Sequence, residues 1–512
     1  MEDKTLALLK RLIAIPSTTG SKQEQKVEAF LLDYLAKIPY FKAHPANYGQ
    51  IPIKSDSCQR SVVYGLVEGI THKTVILMNH HDVVDVNCYD PLQPYAYDMT
   101  KITALLSKED SPCGRDMQSG QWVGGRGSCD MKGGMAAQLV LLAEYAKNPA
   151  KGSLLFLSVA DEESFSAGMR EALGFLEKFR QQKNLDYRLA INSEPNDRKN
   201  DKQIVPIGSV GKLLTTIVVQ GKSVHLGSYR TGVNPIGLLS YLVAATEGKN
   251  TLREKYKGEH TTPFAWLRVR DRKDNYDFSL PLRSAGYCSV QTFQNSPDDV
   301  LSLFKKKLSA AVKSYSKRQP AATNLPIYTY SDFMEKLQKK AGFAAWQKNI
   351  NQQLTTALVQ ESLSYPEATL RYLTAALDFS GETEPLALLA FAPPYYPPTN
   401  SKLMGKKYYK NILAALSACQ PVTYEEFFLG VSDCSYLGNT IKADHHSYSA
   451  NTPLWGDTYS FAQDALEKLQ IPFLLLGPWG KDLHQKTERV NIKSLTEELP
   501  KALRAVCTAA WQ

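Results

Sequence analysis

Export and membrane-spanning signals are what this chain of 512 residues most plainly lacks. Its apolar runs, such as "GSLLFLSVA" and "IPFLLLG", are strand-sized and far below the roughly 18 residues that a bilayer span needs. The amino terminus, "MEDKTLALLKRLIAIPS", carries acid at Glu2 and Asp3 and spaces its leucines helically among lysine and arginine, unlike the apolar stretch of a secretory leader. Cysteine is scarce: the eight cysteines show no close pairs of the metal-ribbon or redox type, and a chain of this size needs no disulfides. A cytoplasmic protein with no membrane role is therefore expected. Neither the Walker spacing nor GxGxxG occurs, so a phosphate loop is not expected. The net charge of +9, from 60 basic and 51 acidic residues, is dispersed. Its densest cluster, "FKKKLSAAVKSYSKR", reads as the wet face of a helix. No basic stripe interleaves with stacking aromatics, and nucleic acid is not an expected partner, whereas small acidic molecules stay open.

What is present is a regular alternation of elements. Over residues 1–205, helices are predicted near 23–39, 134–147 and 166–180, and strands near 61–68, 74–80, 153–160 and 187–193. That pattern argues for an α/β layer structure with a largely parallel sheet. Segment 87–128, rich in Pro, Gly, Asp and Ser, interrupts it and reads as a long ordered loop of the functional kind. From about 206 the order strand, helix, strand, helix, strand suggests a separate α+β domain, with a largely helical insertion near 331–380. "PPYYPP" at 393–398 reads as a stiff connector. Beyond it, a helix at 402–418, strand pieces near 426–430 and 472–477, and a helix at 493–510 recover the first pattern. The expected organisation is one α/β domain in two pieces, 1–205 and 401–512, interrupted by an inserted domain at 206–400.

Ligands of an α/β sheet bind beyond the carboxyl ends of its strands. Three predicted strands end there in polar groups: "VILMNHHD" with His80, His81 and Asp82, "LLFLSVADEE" with Asp161, Glu162 and Glu163, and "LAINSEP" with Glu194. Taken singly, each reads as polar residues closing a strand. Together they gather negative charge whose usual remedy is a bound dication. Residues two apart share a strand face, so if the strand persists His80 and Asp82 lie together and His81 faces away. A carboxylate beside a ligand imidazole fixes its tautomer and raises its basicity, which selects His80. "GGRGSCDMKGGMAAQL" places Asp130 in a glycine-dense turn before a helix, and "LLLGPWGKDLHQKTERV" ends another apolar strand with His484, followed by Glu488. His80, Asp130, Glu163, Glu194 and His484 supply two imidazoles and three carboxylates, a set that suits zinc, cobalt or manganese. With one carboxylate bridging, they serve two ions about 3.5–4 Å apart, between which water ionises near neutral pH. One glutamate of the pair 162/163 then binds metal while the other moves the proton.

At this point "NHHDVV", "GGRGSCDMKGGM", "DEESFSAG", "SEP" and "GPWGKDLHQKTE" resemble, in order and spacing over nearly the whole chain, the successive signatures of the dinuclear-zinc peptidase and deacylase family. That family includes glutamate carboxypeptidase, aminoacylase and succinyl-diaminopimelate desuccinylase. The resemblance implies a catalytic α/β domain with a mixed, largely parallel sheet, interrupted by a ferredoxin-like α+β lid and dimerisation domain. It implies two divalent ions, zinc with cobalt or manganese as alternatives: His80, Asp130 and Glu194 on one, and Asp130, Glu163 and His484 on the other. It further implies that Asp82 supports His80, that Glu162 is the general base and that the Asp130–Met131 peptide is cis. "GKSVHLGSYRTGVNPIG" resembles the lid motif whose histidine, here His225, reaches the partner subunit's active site, so that a homodimer is implied.

The expected function is hydrolysis of an amide bond in a small N-acylated amino acid or short peptide. An aminopeptidase or dipeptidase with the same metals is the alternative, and a non-catalytic ligand-binding protein on the same fold is another. Glu194 leans toward the deacylase and carboxypeptidase side of the resembled family. One departure is notable: the stretch "SVQTFQNSPDDV" lacks the arginine that the family uses for a substrate carboxylate, leaving Arg230 or Arg283 as substitutes. This and the long lid, with "LLAFAPPYYPP" and "NTPLWGDTYSF", resemble the branch associated with bacterial arginine utilisation.

Overall fold

A computed structural model describes residues 3–273, 275–360, 362–440, 445–456 and 458–512; Glu2 lies outside them. The chain forms two compact units, one of Met1–Ser209, Thr399–Thr440 and Asp464–Gln512, the other of Val210–Pro398 and Ile441–Gln463. The stretch 401–512 is thus itself divided, its middle belonging with the second unit. Among the described residues no helix is long and apolar enough to cross a membrane.

The first unit is built on a mixed sheet of six strands, in the order Tyr48–Pro52, Ser61–Val67, Ser153–Val159, Lys73–His80, Asp186–Asn192, Phe473–Leu475. The first two junctions are antiparallel and the last three parallel. Strands buried on both faces are apolar throughout rather than alternating, and Ser153–Val159 is buried along its whole length. Helices cover the sheet. Lys4–Ile13 is capped by the Asp3 carboxylate, which accepts from the Thr5 and Leu6 amides, and it buries Leu8, Leu9, Leu12 and Ile13. Lys132–Tyr145 packs so closely that a Cβ on Gly134 would lie 2.1 Å from the Ser193 carbonyl oxygen. Gly477 approaches the Glu194 carbonyl equally closely.

Segment 87–128 is not the loop expected from its composition. It carries helices Met99–Leu106 and Pro112–Gln118 and the strand Trp122–Gly124. Asp98 and Ser111 cap the two helices. Their apolar residues join Tyr89, Ala96 and Trp122 in a small core of their own. Helices of eight and seven residues are too short to display a clear period, which is why the Pro and Gly content dominated the reading.

The second unit holds a five-stranded sheet in the order Ala265–Asp271, Arg283–Thr292, Gly211–Gln220, Leu386–Tyr396, Ile327–Thr329, antiparallel except at its last junction. Helices Pro235–Thr246 and Pro297–Ser316 pair with one another, and the insertion comprises Tyr330–Leu337, Phe343–Val359 and Tyr365–Ser380. The edge strand Ala265–Asp271 was not expected. The supposed connector "PPYYPP" also differs, because the strand Leu386–Tyr396 runs through its first four residues. Pro393 and Pro394 fall where the register against Leu214 and Lys212 shifts, a bulge where no ladder donor is needed.

One buried ion cluster bears on the sheet edge. Arg60 donates to Glu24 (2.9 Å), Asp161 (2.6 Å) and Asp56 (2.7 Å), all four side chains being nearly inaccessible to solvent. The Asp161 amide donates to Glu24, the Asp161 carboxylate accepts from Ala167 N, and its carbonyl accepts from Ser166 N. Asp161 has φ of 68°, so these contacts hold a strained residue at the start of the turn that carries Glu162 and Glu163.

Two measurements follow. Arg60→Met strands three buried acids and is expected to cost about 3–5 kcal/mol in urea unfolding, part of it recovered by adding Glu24→Gln. A loss below about 1 kcal/mol would remove Arg60 as the support of the turn. Gly134→Ala gains about 1 kcal/mol of helix propensity but meets backbone, and a net loss of about 1–3 kcal/mol is expected. A stabilised variant would show that the helix shifts freely.

Candidate metal centre

Three adjacent parallel strands end on one edge, and the chain leaving each delivers a polar group there. His80 is the last residue of Lys73–His80 and pairs with Val159. Glu162 and Glu163 follow Ser153–Val159, and Glu194 follows Asp186–Asn192. The fourth strand, Phe473–Leu475, leads to His484, and Asp130 enters from the turn before Lys132–Tyr145 across a cis Asp130–Met131 peptide.

The five expected donors come together. His80 Nε2 lies 3.1 Å from Asp130 Oδ1 and 3.5 Å from Glu194 Oε1. His484 Nε2 lies 3.1 Å from Asp130 Oδ2 and 3.0 Å from Glu163 Oε2. Asp130 therefore turns one oxygen to each imidazole. Possible ion-holding groups, with donor atoms within 4.8 Å of one another, are His80–Asp130–Glu163 and His80–Glu162–Glu194. Glu162 thus stands beside His80 and Glu194.

Asp82 supports the site differently from the expectation. The strand ends at His80, so the shared-face argument does not reach residue 82. His80 Nδ1 is 3.0 Å from the Asp82 carbonyl oxygen, and the Asp82 carboxylate is more distant at 3.4 Å. That carboxylate instead accepts from the amides of Glu162 and Glu163, each at 3.1 Å. His81 faces elsewhere, with Nδ1 3.1 Å from Ser158 Oγ and Nε2 3.6 Å from Glu28.

The charges explain the titration behaviour. Burial alone would lower His80, but Glu194, Asp130 and Asp82 hold it well above the ordinary histidine value. Hydrogen bonds to Asp130 and Glu163 push His484 up to about 10 against its burial. Burial and the Asp130 charge push Glu163 up to about 7, against His484 and His80. Glu162 and Glu194 are raised chiefly by burial, while the two imidazoles pull Asp130 below the usual carboxylate range despite it. Buried acids gathered around two imidazoles are a set that divalent cations suit, and Glu163 Oε1 is buried without a hydrogen-bond partner among the described residues.

Several residues of the site escaped the sequence reading. Arg126 lies inside a quoted motif but pairs with Glu488 at 2.6 Å, which only coordinates reveal. Lys132, fully buried, donates to the carbonyls of Leu12 (3.2 Å) and Ile15 (2.7 Å), tying the first helix to the Asp130 turn. Burial pushes the Asp433 carboxyl up to about 7 against the Ser166 hydroxyl and His80, with Asp82 and Glu194 adding to the rise. Its surrounding "GVSDCSYL" carries no periodic or motif signal.

His225 belongs to the second unit, where its Nδ1 accepts from the Gly227 amide and its ring lies 5.4 Å from that of Phe278. Of the two arginines considered for a substrate carboxylate, Arg283 is engaged by Asp378 (2.6 Å), Gln220 and the Thr374 carbonyl, whereas Arg230 is exposed.

Comparison with known proteins identifies the family. The chain is 28% identical to the uncharacterized protein YqjN of Bacillus subtilis (strain 168), covering 99% of this chain and 96% of that protein. It is 26% identical to protein RocB of the same organism, covering 95% and 91%. A tripeptidase from Staphylococcus aureus subsp. aureus Mu50 shares the fold, with a TM-score of 0.54 at 14% identity, covering 99% of this chain and 98% of that chain. The sequence model of peptidase family M20/M25/M40 matches residues 107–512, and the chain belongs to that family of hydrolases acting on peptide and amide bonds.

Proposed function

We propose that the chain is a metal-dependent deacylase or carboxypeptidase-like enzyme that cleaves the amide bond of a small N-acylated amino acid or short peptide. The observation carrying this reading is the placement of two imidazoles on the two oxygens of Asp130, each at 3.1 Å. His80, Asp130 and Glu194 hold one divalent cation, and Asp130, Glu163 and His484 the other. Zinc is the proposed metal, with cobalt or manganese as alternatives, since mixed imidazole and carboxylate donors suit all three. When bound, such ions lower the pKa of water and polarise a carbonyl.

Within the chain, Glu162 takes the proton of the attacking water and passes it to the leaving nitrogen. Its closeness to His80 and Glu194 supports that role. Asp82 aligns Glu162 and Glu163 through their amides and holds the His80 ring through its own carbonyl. His225 is proposed to act in the active site of a partner subunit, stabilising the carbonyl oxygen as charge develops. That role needs a homodimer formed through the second unit. The edge strand Ala265–Asp271 supports one, because Leu267 and Val269 are 57% and 38% exposed along an outer edge that no described strand covers. The resemblance to the arginine-utilisation branch makes N-acyl derivatives of arginine, ornithine and glutamate the first substrates to screen, beside dipeptides, with each metal added separately.

The purified chain is expected to hold about two zinc ions by metal analysis, and Glu162→Gln to keep them while losing about 10²–10⁴-fold in turnover. Undiminished turnover in that variant removes Glu162 as the base, and activity that survives complete chelation removes the metal reading. Light scattering should give a dimer that Leu267→Glu with Val269→Lys converts to a monomer of strongly reduced activity. A fully active monomer would leave His225 no part in a partner's site.

A further inference from the structure

Asp130 and His484 are 354 positions apart, yet each faces the other across one ion pair that works in both directions. Glu488, from the segment of His484, is fully buried, and its carboxylate serves the Asp130 turn. Oε1 accepts from the amides of Cys129 (3.2 Å) and Asp130 (3.3 Å), and Oε2 from Gly127 N (3.2 Å) and Arg126 Nη1 (2.6 Å). Arg126, from the segment of Asp130, serves His484 in return. Its Nη2 donates to the His484 carbonyl oxygen (3.2 Å) and to Cys88 Sγ (3.1 Å), and its guanidinium lies 5.1 Å from the Tyr89 ring centre.

His484 needs such a hold. It has φ of 64°, a left-handed conformation that costs a residue with a Cβ, and its side chain is 51% exposed. His80 needs none. It ends a buried strand, its amide donates to Met131 Sδ, and its ring is fixed by the Asp82 carbonyl.

We propose that Arg126 and Glu488 form a clasp that sets the spacing between Asp130 and His484, and that they are positioning residues for the cation held by Asp130, Glu163 and His484. The inference rests on the metal reading above. It goes further in assigning the two cation positions different dependence: the first keeps His80 and Glu194 on the sheet edge and shares only Asp130 with the clasp, whereas the second depends on the clasp for both Asp130 and His484. A lost hydrogen-bonding support of a metal ligand typically weakens metal affinity about 10- to 100-fold.

The test is metal titration of the full chain by competition with a chromogenic chelator, with cobalt absorption as a second readout. Wild type is expected to bind two equivalents. Glu488→Gln, which puts an NH₂ against the donors at one oxygen, should keep one tight equivalent and weaken the other about 10- to 100-fold. Arg126→Lys keeps the charge on Glu488 but loses the forked reach to His484, and the same single weakened equivalent is expected. In the metal-free chains, hydrogen exchange at the Gly127, Cys129 and Asp130 amides should quicken in Glu488→Gln. Two equivalents of unchanged affinity in Arg126→Lys, or both weakened alike, would overturn the clasp. A wild type that binds no metal would instead overturn the metal reading, and Glu163→Gln, which removes a donor itself, marks what loss of the second position alone looks like.

Discussion

Like charges brought out of water must be neutralised from nearby, and this requirement separates two kinds of buried acid in the first unit. Glu24, Asp56 and Asp161 share Arg60, and Glu488 has Arg126. These acids are satisfied by the protein itself and hold backbone in place. Asp130, Glu163 and Glu194 have only imidazoles beside them, with no lysine or arginine partner among the described residues. Their environment favours an added positive charge, and the open edge of the sheet is where a charge can arrive. The division follows from chemistry alone: guanidinium is permanently charged and suits a permanent strut, whereas imidazole gives up its proton to a competing cation.

The two kinds are layered. The groups with internal counter-charges do not join the donor set but fix the turns from which it projects: Arg60 through Asp161 beneath Glu162 and Glu163, and Glu488 around the Asp130 turn, where Lys132 adds bonds to the Leu12 and Ile15 carbonyls. A site spread over five chain segments keeps its spacing because these segments are tied together by buried polar contacts, in addition to apolar packing.

Much of this was legible in the sequence because it depends on local order. Apolar runs that stop abruptly at His80, Asp161 and Glu194 mark strand ends, and parallel strands must present those ends on one edge. His80 and His81 could be told apart because neighbouring strand residues face opposite ways, although the argument for Asp82 assumed a strand that stops two residues earlier. Other features depend on contacts between distant positions. Arg126 with Glu488, Arg60 with Asp161 and the buried Asp433 carry no periodic signal, since a charged residue in a loop looks the same whether it meets water or a partner hundreds of residues away. The short helices of 87–128 and the strand through Pro393 and Pro394 were missed where composition and tertiary packing disagree, and packing prevailed.

The first unit is completed only by residues that follow the second, since Phe473–Leu475 closes its sheet and His484 its donor set. A chain made from its amino terminus therefore exposes an acid-rich sheet edge throughout synthesis of the inserted unit, with one imidazole in place and the other still to come. The second imidazole joins the acids only after the whole inserted unit has been made, and a chain that stops before His484 presents the acids with a single imidazole.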